Sequence, residues 1–275
     1  MISHIHHGVS ESFWISIALS VASLAYLRGW QQFRRQDRDN VAGWRGASFV
    51  LGLLFIWIAT ASPLAALDHE LLTAHMVQHL LLMTLAPPLI LLGMPRKKLL
   101  HGLMGEATHP AFSWLAATGT LVVWHIPSVF MLGLQSQVWH SVEQLSFLVS
   151  GLLFWSPVVR PSVSISKWPE SSILLYLFLA TLPCDILSGF LVFCERVVYP
   201  IFLSSPLSSG LSALEDQQCA GALMWTCVTI VYVVAGTIFT AHLLSTHRSA
   251  ELAIPQLDSR RIAVPRTNPH RIEAI

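Results

Sequence analysis

Two histidines and a methionine within one apolar stretch are the residues of this sequence whose types and spacing best suit chemistry. The stretch covers residues 71–95, LLTAHMVQHLLLMTLAPPLILLGMP, and is long enough to cross a membrane. On an α-helix His75, His79 and Met83 share one face, because side chains four residues apart are neighbours. Polar side chains inside a bilayer are costly and usually face protein or water, so this stripe predicts a functional site.

Other apolar segments contribute further polar side chains. His125 lies in the last third of one of them, His140 is followed at helical spacing by Glu143, and Asp185 and Asp216 lie later in the chain. Neutral imidazole binds copper, zinc or iron, thioether sulfur favours copper(I), and carboxylates orient ligating histidines. We therefore expect a copper site whose ligands are His75, His79, His125, His140 and Met83, supported by Glu143, Asp185 and Asp216.

Each of these residues also has an ordinary structural explanation. Histidines at helix ends often only form hydrogen bonds, and methionines commonly fill gaps between helices. An unpaired Asp185 would be expensive within a membrane, so we expect it to be paired, protonated or bound to a metal. A histidine or backbone partner is the expected role for Asp185, rather than direct ligation.

The elements that must position these side chains are membrane-spanning helices. The sequence is 53% hydrophobic and only 11% charged, and its mean hydropathy is +0.59, which is typical of a polytopic membrane protein. Seven segments approach the ~20 residues that a ~30 Å hydrocarbon core requires. They are residues 12–30, 46–63, 71–93, 111–131, 139–158, 172–193 and 217–242. The predicted fold is therefore an all-α bundle of seven transmembrane helices.

The basic residues predict the orientation of this bundle. All lysines and arginines except Arg196 lie within or beside connections that alternate along the chain, or in the C-terminal tail, so the positive-inside rule predicts the N-terminus outside and the C-terminus inside. We expect an outer His-rich segment at 1–11, a transmembrane domain at 12–246 and a flexible cytoplasmic tail at 247–275. This topology brings all the candidate site residues to the outer half of the bilayer, where we expect them to converge.

Proline and cysteine residues make two further predictions. Pro87 and Pro88 remove two backbone donors inside the third segment, so a kink or break is expected there, and Pro127 should bend the fourth. Cys194 and Cys219 could both lie near the outer surface and pair. However, the four cysteines lack any metal-binding spacing, and small buried apolar residues are the favoured interpretation.

Several short motifs follow one another along residues 40–245. They are His75-Met76-x-Gln78-His79, Ala86-Pro87-Pro88, Gly93-x-Pro95, Trp124-His125-x-Pro127, Trp139-His140, and Asp216-Gln217-Gln218-x-x-Gly221 with Met224-Trp225. This series resembles the CtaG family of caa-type cytochrome c oxidase assembly factors, in its multi-span form. The resemblance implies a bacterial inner-membrane protein that serves the copper centres of the oxidase and turns over no substrate. It implies membrane lipid and oxidase subunits or copper chaperones as partners, and no nucleic acid.

Two other classes of protein use the same residues. Histidine pairs on facing helices can ligate haem in a membrane redox protein, and histidines with Asp185 can relay protons or ions. A retinal protein is disfavoured, because Lys97, Lys98 and Lys167 all lie in predicted cytoplasmic connections, which leaves no lysine within a span for a Schiff base. The leading hypothesis is the copper-binding assembly factor.

Overall fold

The computed structural model describes residues 2–36, 43–94, 109–159, 172–203 and 210–262. Within these ranges the chain is helical and contains no strand. The helices are α1 (Ile2–Gln36), α2 (Gly43–Ala61), α3 (Pro63–Ala66), α4 (Leu72–His79), a π-helix (Leu80–Leu85), α5 (Ala86–Gly93), α6 (Pro110–His125), α7 (Pro127–Gln135), α8 (Gln137–Val159), α9 (Ser172–Phe193), a 3-10 turn (Pro200–Leu203) and α10 (Ala213–Ile262). Contacts divide the chain into two units, Met1–Val233 and Val234–Ile275. Every residue of the site described below belongs to the first.

Six of the described helical segments are long and apolar enough to cross a membrane. They are Ser12–Gln32, Gly43–Ala66, Leu72–Gly93, Gln137–Val159, Ser172–Phe193 and Ala213–Ser245. A seventh span is present if α6 and α7 are counted together, although these two helices are bent by 78° at the break between them. The all-α, multi-span prediction is confirmed, and seven is the upper count of spans.

Parts of the predicted topology and domain division lie outside the described residues. These include 37–42, 95–108 and 160–171, which hold many of the basic residues that predict orientation, and the end of the tail, 263–275. The side chains of the predicted outer segment, 1–11, are also outside them. The orientation and the three-part division therefore remain predictions.

Helix α8 is the element around which the site is built. It packs against α4, the π-helix, α5, α6 and α7. Close approach depends on Gly151, because a Cβ atom there would lie 2.6 Å from the carbonyl oxygen of Met83 and 2.8 Å from the ring of Pro87. The third span therefore lies directly against the helix that carries His140 and Glu143.

The proline pair alters the third span without interrupting it. Leu72–Gly93 remains one span, but Leu80–Leu85 is π-helical, and the N–H of Ala86 donates to the carbonyl of Leu81, five residues earlier. π-Helical turns are rare, and those that interrupt an α-helix are frequently found at functional sites. The predicted disruption is thus present, as a local change of helical pitch.

The bend predicted at Pro127 is also present. Helix α6 ends at His125, Ile126 is extended, and α7 begins at Pro127. Proline lacks an N–H and cannot continue the hydrogen bonds of α6. As a result the carbonyl of His125 accepts a hydrogen bond at 3.0 Å from the hydroxyl of Tyr199, which lies in the connection after α9.

The four cysteines are unpaired in the structure. Cys184 is buried, Cys194 and Cys227 are partly buried, and Cys219 is exposed. No disulfide joins Cys194 to Cys219, and burial as a small apolar residue applies fully only to Cys184.

Candidate metal centre

Glu143 lies at the centre of the buried polar cluster. Its Oε1 atom is 3.3 Å from Nε2 of His75 and 3.2 Å from Nε2 of His79, and its Oε2 atom is 3.5 Å from Nδ1 of His140. All four side chains are buried. One carboxylate therefore joins three imidazoles that come from two neighbouring spans.

Local helical geometry explains how these imidazoles are presented. His75 and His79 are one turn apart on α4, and their ring centroids are 4.4 Å apart. His140 and Glu143 are three residues apart on α8 and share a face. The phenyl ring of Phe147, one further turn along α8, stacks on His79 at 3.9 Å between centroids. The two helix faces meet through the cluster, as the sequence predicted.

A second carboxylate enters from the turn that precedes α4. Asp68 is buried, and its Oδ2 atom is 3.0 Å from Nε2 of His140. Burial by itself would raise the pKa of Asp68, but the hydrogen bond from His140, together with the charges of His69, His140 and His75, holds this pKa below its usual value. Asp68 is therefore a carboxylate that the fold keeps ionised beside the histidine cluster.

Several buried polar atoms of the cluster have no hydrogen-bond partner among the residues that the structure describes. They include Oδ1 of Asp68, Nδ1 of His75 and Nδ1 of His79. Nε2 of His79, Nδ1 of His140 and Oε2 of Glu143 make only the ion-pair contacts given above. Buried polar groups in folded proteins are almost always satisfied. A cation or water bound within the cluster would satisfy these atoms.

The arrangement fits a metal ion. Two groups of three residues bring ligand atoms within 4.8 Å of one another: His75, His79 and Glu143 in one, and Asp68, His75 and His140 in the other. Imidazole and carboxylate together suit copper, zinc or iron. We call the first set the inner group and the second the outer group; His75 belongs to both.

A histidine and a thioether lie at the deep side of the inner group. Nδ1 of His125 donates to the carbonyl of Leu121 at 2.7 Å, which leaves Nε2 with a free lone pair, and this Nε2 is 3.4 Å from Sδ of Met76. The His125 and His79 ring centroids are 5.9 Å apart. A neutral imidazole and a thioether that point at each other are a donor pair suited to copper(I).

The structure separates the sequence-predicted site residues into two sets. His75, His79, His125, His140 and Glu143 come together as described. Met83 lies in the π-helix and packs at the edge of an apolar cluster that includes Phe147. Asp185 lies on α9 beside Cys184, with its Oδ1 atom buried and without a hydrogen-bond partner, and it belongs to neither metal group.

Asp216 supports the site through the backbone. Its Oδ2 accepts a hydrogen bond at 2.7 Å from the N–H of Leu72, and its Oδ1 accepts one at 3.2 Å from the N–H of Thr73. These are the first N–H groups of α4, which have no partner within the helix. Asp216 therefore fixes the start of the helix that carries His75 and His79, and makes no contact with an imidazole that the structure records.

Two residues of the cluster were not among the sequence-predicted site residues. Asp68 lies in a short turn, where residue spacing does not predict the direction of a side chain. Its position just before the helix that carries His75 was the one feature of the sequence that could have indicated a role in the site. Met76 is adjacent to His75 in sequence, but we predicted Met83 as the thioether ligand because an α-helix would place Met83 on the same face as His75 and His79. Met76 is fully buried against His125.

Comparison with known proteins agrees with the motifs. The family model described as cytochrome c oxidase caa3 assembly factor matches residues 24–246. No curated protein and no solved structure shows a significant match. The matched region contains the inner group, the outer group and the His125–Met76 pair.

Proposed function

Because the chain belongs to the family of cytochrome c oxidase caa3 assembly factors, we propose that it binds copper within its membrane domain and delivers the metal to an oxidase subunit. The proposed location is the bacterial inner membrane, with the N-terminus outside and the site near the outer face. The role is that of a metal carrier, so the histidines act as ligands and not as catalytic acids or bases.

The observation that carries this proposal is the inner group. Two imidazoles and a carboxylate are buried together, and Nδ1 of His75 and Nδ1 of His79 have no hydrogen-bond partner among the described residues. Copper suits this set and also the neighbouring pair formed by His125 and Met76, because thioether sulfur selects copper(I) over zinc. Copper is therefore the metal whose ligand preferences match both features.

The same site is suited to releasing its metal. Three protein ligands leave copper(I) open to attack by a ligand from a partner, and no cysteine thiolate holds the metal within the two groups. Binding requires neutral imidazoles, so affinity should fall as the pH drops through the range where histidines become protonated. A carrier needs such exchangeable ligation.

The geometry argues against haem ligation by His75 and His79 as the two axial ligands. Two axial histidines must lie on opposite faces of the porphyrin, with the macrocycle between them. His75 and His79 are successive residues of one helix face, with ring centroids 4.4 Å apart, and both approach the same oxygen of Glu143. No porphyrin can pass between them.

Copper(I) titration of the purified protein tests the proposal. We expect one tightly held copper per chain in the wild type, measured anaerobically against a colorimetric chelator, and its loss in the double variant His75→Ala/His79→Ala. His242→Ala, an exposed histidine on α10, is the matched control and should keep full binding. Equal copper retention by wild type and the double variant would refute the proposal. A strong Soret band with little copper would support the haem alternative.

Two methionine variants test the identity of the thioether. Met76→Leu should lower copper(I) affinity, because it removes the sulfur that lies 3.4 Å from Nε2 of His125. Met83→Leu makes the same change on the same span and should have little effect if Met83 only packs. If Met83→Leu lowers copper(I) affinity and Met76→Leu does not, the thioether ligand is Met83, as predicted from the sequence.

A further inference from the structure

Five histidine rings follow one another from the protein surface to the deep end of the site. Consecutive ring centroids are 5.8 Å apart from His69 to His140, 6.0 Å from His140 to His75, 4.4 Å from His75 to His79, and 5.9 Å from His79 to His125. The rings come from the turn before α4, from α8, from α4 and from α6. Tertiary packing, and not one helical repeat, therefore assembles the row.

Only the first member of this row is exposed. The His69 side chain is 51% exposed, whereas that of the adjacent Asp68 is 2% exposed and that of His140 is 8% exposed. Nε2 of His69 lies 3.6 Å from Oδ1 of Asp68, an oxygen that has no hydrogen-bond partner. An exposed imidazole thus lies directly over a buried carboxylate.

The other end of the row is closed by described residues. His125 is buried, its carbonyl accepts the hydroxyl of Tyr199, and Tyr199 itself is buried against Phe130 with ring centroids 4.1 Å apart. An ion at the inner group would therefore have its open side toward His69.

We propose that His69 and Asp68 form the entrance to a copper transfer path, along which the ion passes from the outer group to the inner group through their shared ligand, His75. This inference rests on the proposed copper binding and adds to it a route and a second metal position. The same entrance would serve for release to a partner, since the path has one open end.

Shared ligation makes such a transfer feasible inside a protein. A bare ion in a medium of low polarity is very unfavourable, so the ion must keep ligands throughout its movement. At each step one bond from copper to nitrogen or oxygen forms as another breaks, and copper(I) keeps its oxidation state. His75 remains bound while Asp68 and His140 are exchanged for His79 and Glu143. The path therefore requires neither an oxidant nor a free ion.

The kinetics of copper exchange test the path. Copper(I) is supplied as a soluble chelate, loading is followed over time, and removal is followed after addition of excess chelator. We expect His69→Ala to slow loading and removal by tenfold or more, while the copper stoichiometry and equilibrium affinity stay within threefold of wild type. Asp68→Asn should also slow both. His242→Ala, the same substitution at another exposed histidine, should change neither rate.

A rescue variant separates a ligand from a structural role. His69→Met replaces the imidazole by a thioether, which also binds copper(I), and should restore most of the wild-type rate. If His69→Ala and Asp68→Asn load at the wild-type rate, the path is refuted while the binding proposal stands. If wild type binds no copper but His69→Ala reduces proton flux in liposomes, both proposals fail and the row is a proton path.

Discussion

Replacing Glu143 by glutamine is the sharpest test of the site. The substitution preserves shape and removes one negative charge from a carboxylate that lies within 3.2 to 3.5 Å of His75, His79 and His140. Glu143 is 0% exposed, so solvent does not screen this charge. If the carboxylate ligates copper, removal of its charge therefore takes away nearly the whole of its electrostatic attraction for the bound ion.

The expected magnitude follows from the charge and its surroundings. Two unit charges about 4 Å apart at an effective dielectric constant of about 20 interact by about 4 kcal/mol. This corresponds to roughly a thousandfold in affinity. Removal of a carboxylate that only orients ligating histidines lowers metal affinity by about 10- to 100-fold. We therefore expect Glu143→Gln to weaken copper(I) binding by about a hundredfold to a thousandfold, and a value at the upper end identifies Glu143 as a ligand.

The assay is a competition titration with a copper(I) chelator of known affinity, in detergent and without oxygen. Glu215→Gln makes the same chemical change at an exposed glutamate in the first turn of α10 and should leave the affinity unchanged. Thermal unfolding of both variants without metal shows whether the fold survives. A folded Glu143→Gln protein with copper affinity within threefold of wild type would refute the reasoning.

Three further substitutions test the supports of the site. Asp216→Ala leaves the first N–H groups of α4 unpaired, so we expect a loss of about 1–3 kcal/mol in the free energy of unfolding, measured by denaturant titration, with weaker copper binding. Gly133→Ala places a Cβ atom 2.7 Å from Oε2 of Glu143 and should lower copper affinity, whereas Gly119→Ala, with nothing within 4 Å, should not. Asp68→Asn should lower the thermal midpoint above about pH 4, because Asp68 has a lowered pKa and its stabilising contribution disappears as the pH falls through that value.

Each of these expectations has an outcome that would contradict it. Unchanged stability of Asp216→Ala would mean that water replaces the carboxylate at α4. Equal copper affinity of the two glycine variants would mean that Glu143 tolerates displacement. A stability difference between wild type and Asp68→Asn that persists well below pH 4 would mean that the ionised form of Asp68 is not the stabilising species.

The sequence predicts the helices of this fold well, because their signals are local. Apolar segments of membrane-spanning length predict the spans, and Pro127 predicts the bend after His125. The pairing of His75 with His79 and of His140 with Glu143 follows from helical periodicity alone. The predicted topology placed these two pairs at the same depth, so we expected them to converge. The packing of α4 against α8 supports that expectation.

The residues that sequence reasoning assigned differently depend on tertiary structure or on irregular backbone. Met83 was placed on the histidine stripe by assuming an α-helix throughout, but the chain is π-helical from Leu80 to Leu85, which changes the direction of later side chains. Asp68 reaches His140 through the conformation of a turn. Asp216 acts on α4 from another span, and its role as a partner of backbone N–H groups has no signature in spacing.

The bend after His125 has a consequence for the lipid around the protein. Helix α6 has 16 residues, so at about 1.5 Å per residue it extends at most about 24 Å, less than the about 30 Å of a typical hydrocarbon core. Because α7 turns away by 78°, it adds little to this length, and a short span of this kind is accommodated by local thinning of the bilayer, by snorkelling of flanking residues or by oligomerisation. Lipids with shorter acyl chains match the length of α6 better. Membrane thickness should therefore affect the position of His125, which ends α6 at the deep end of the site.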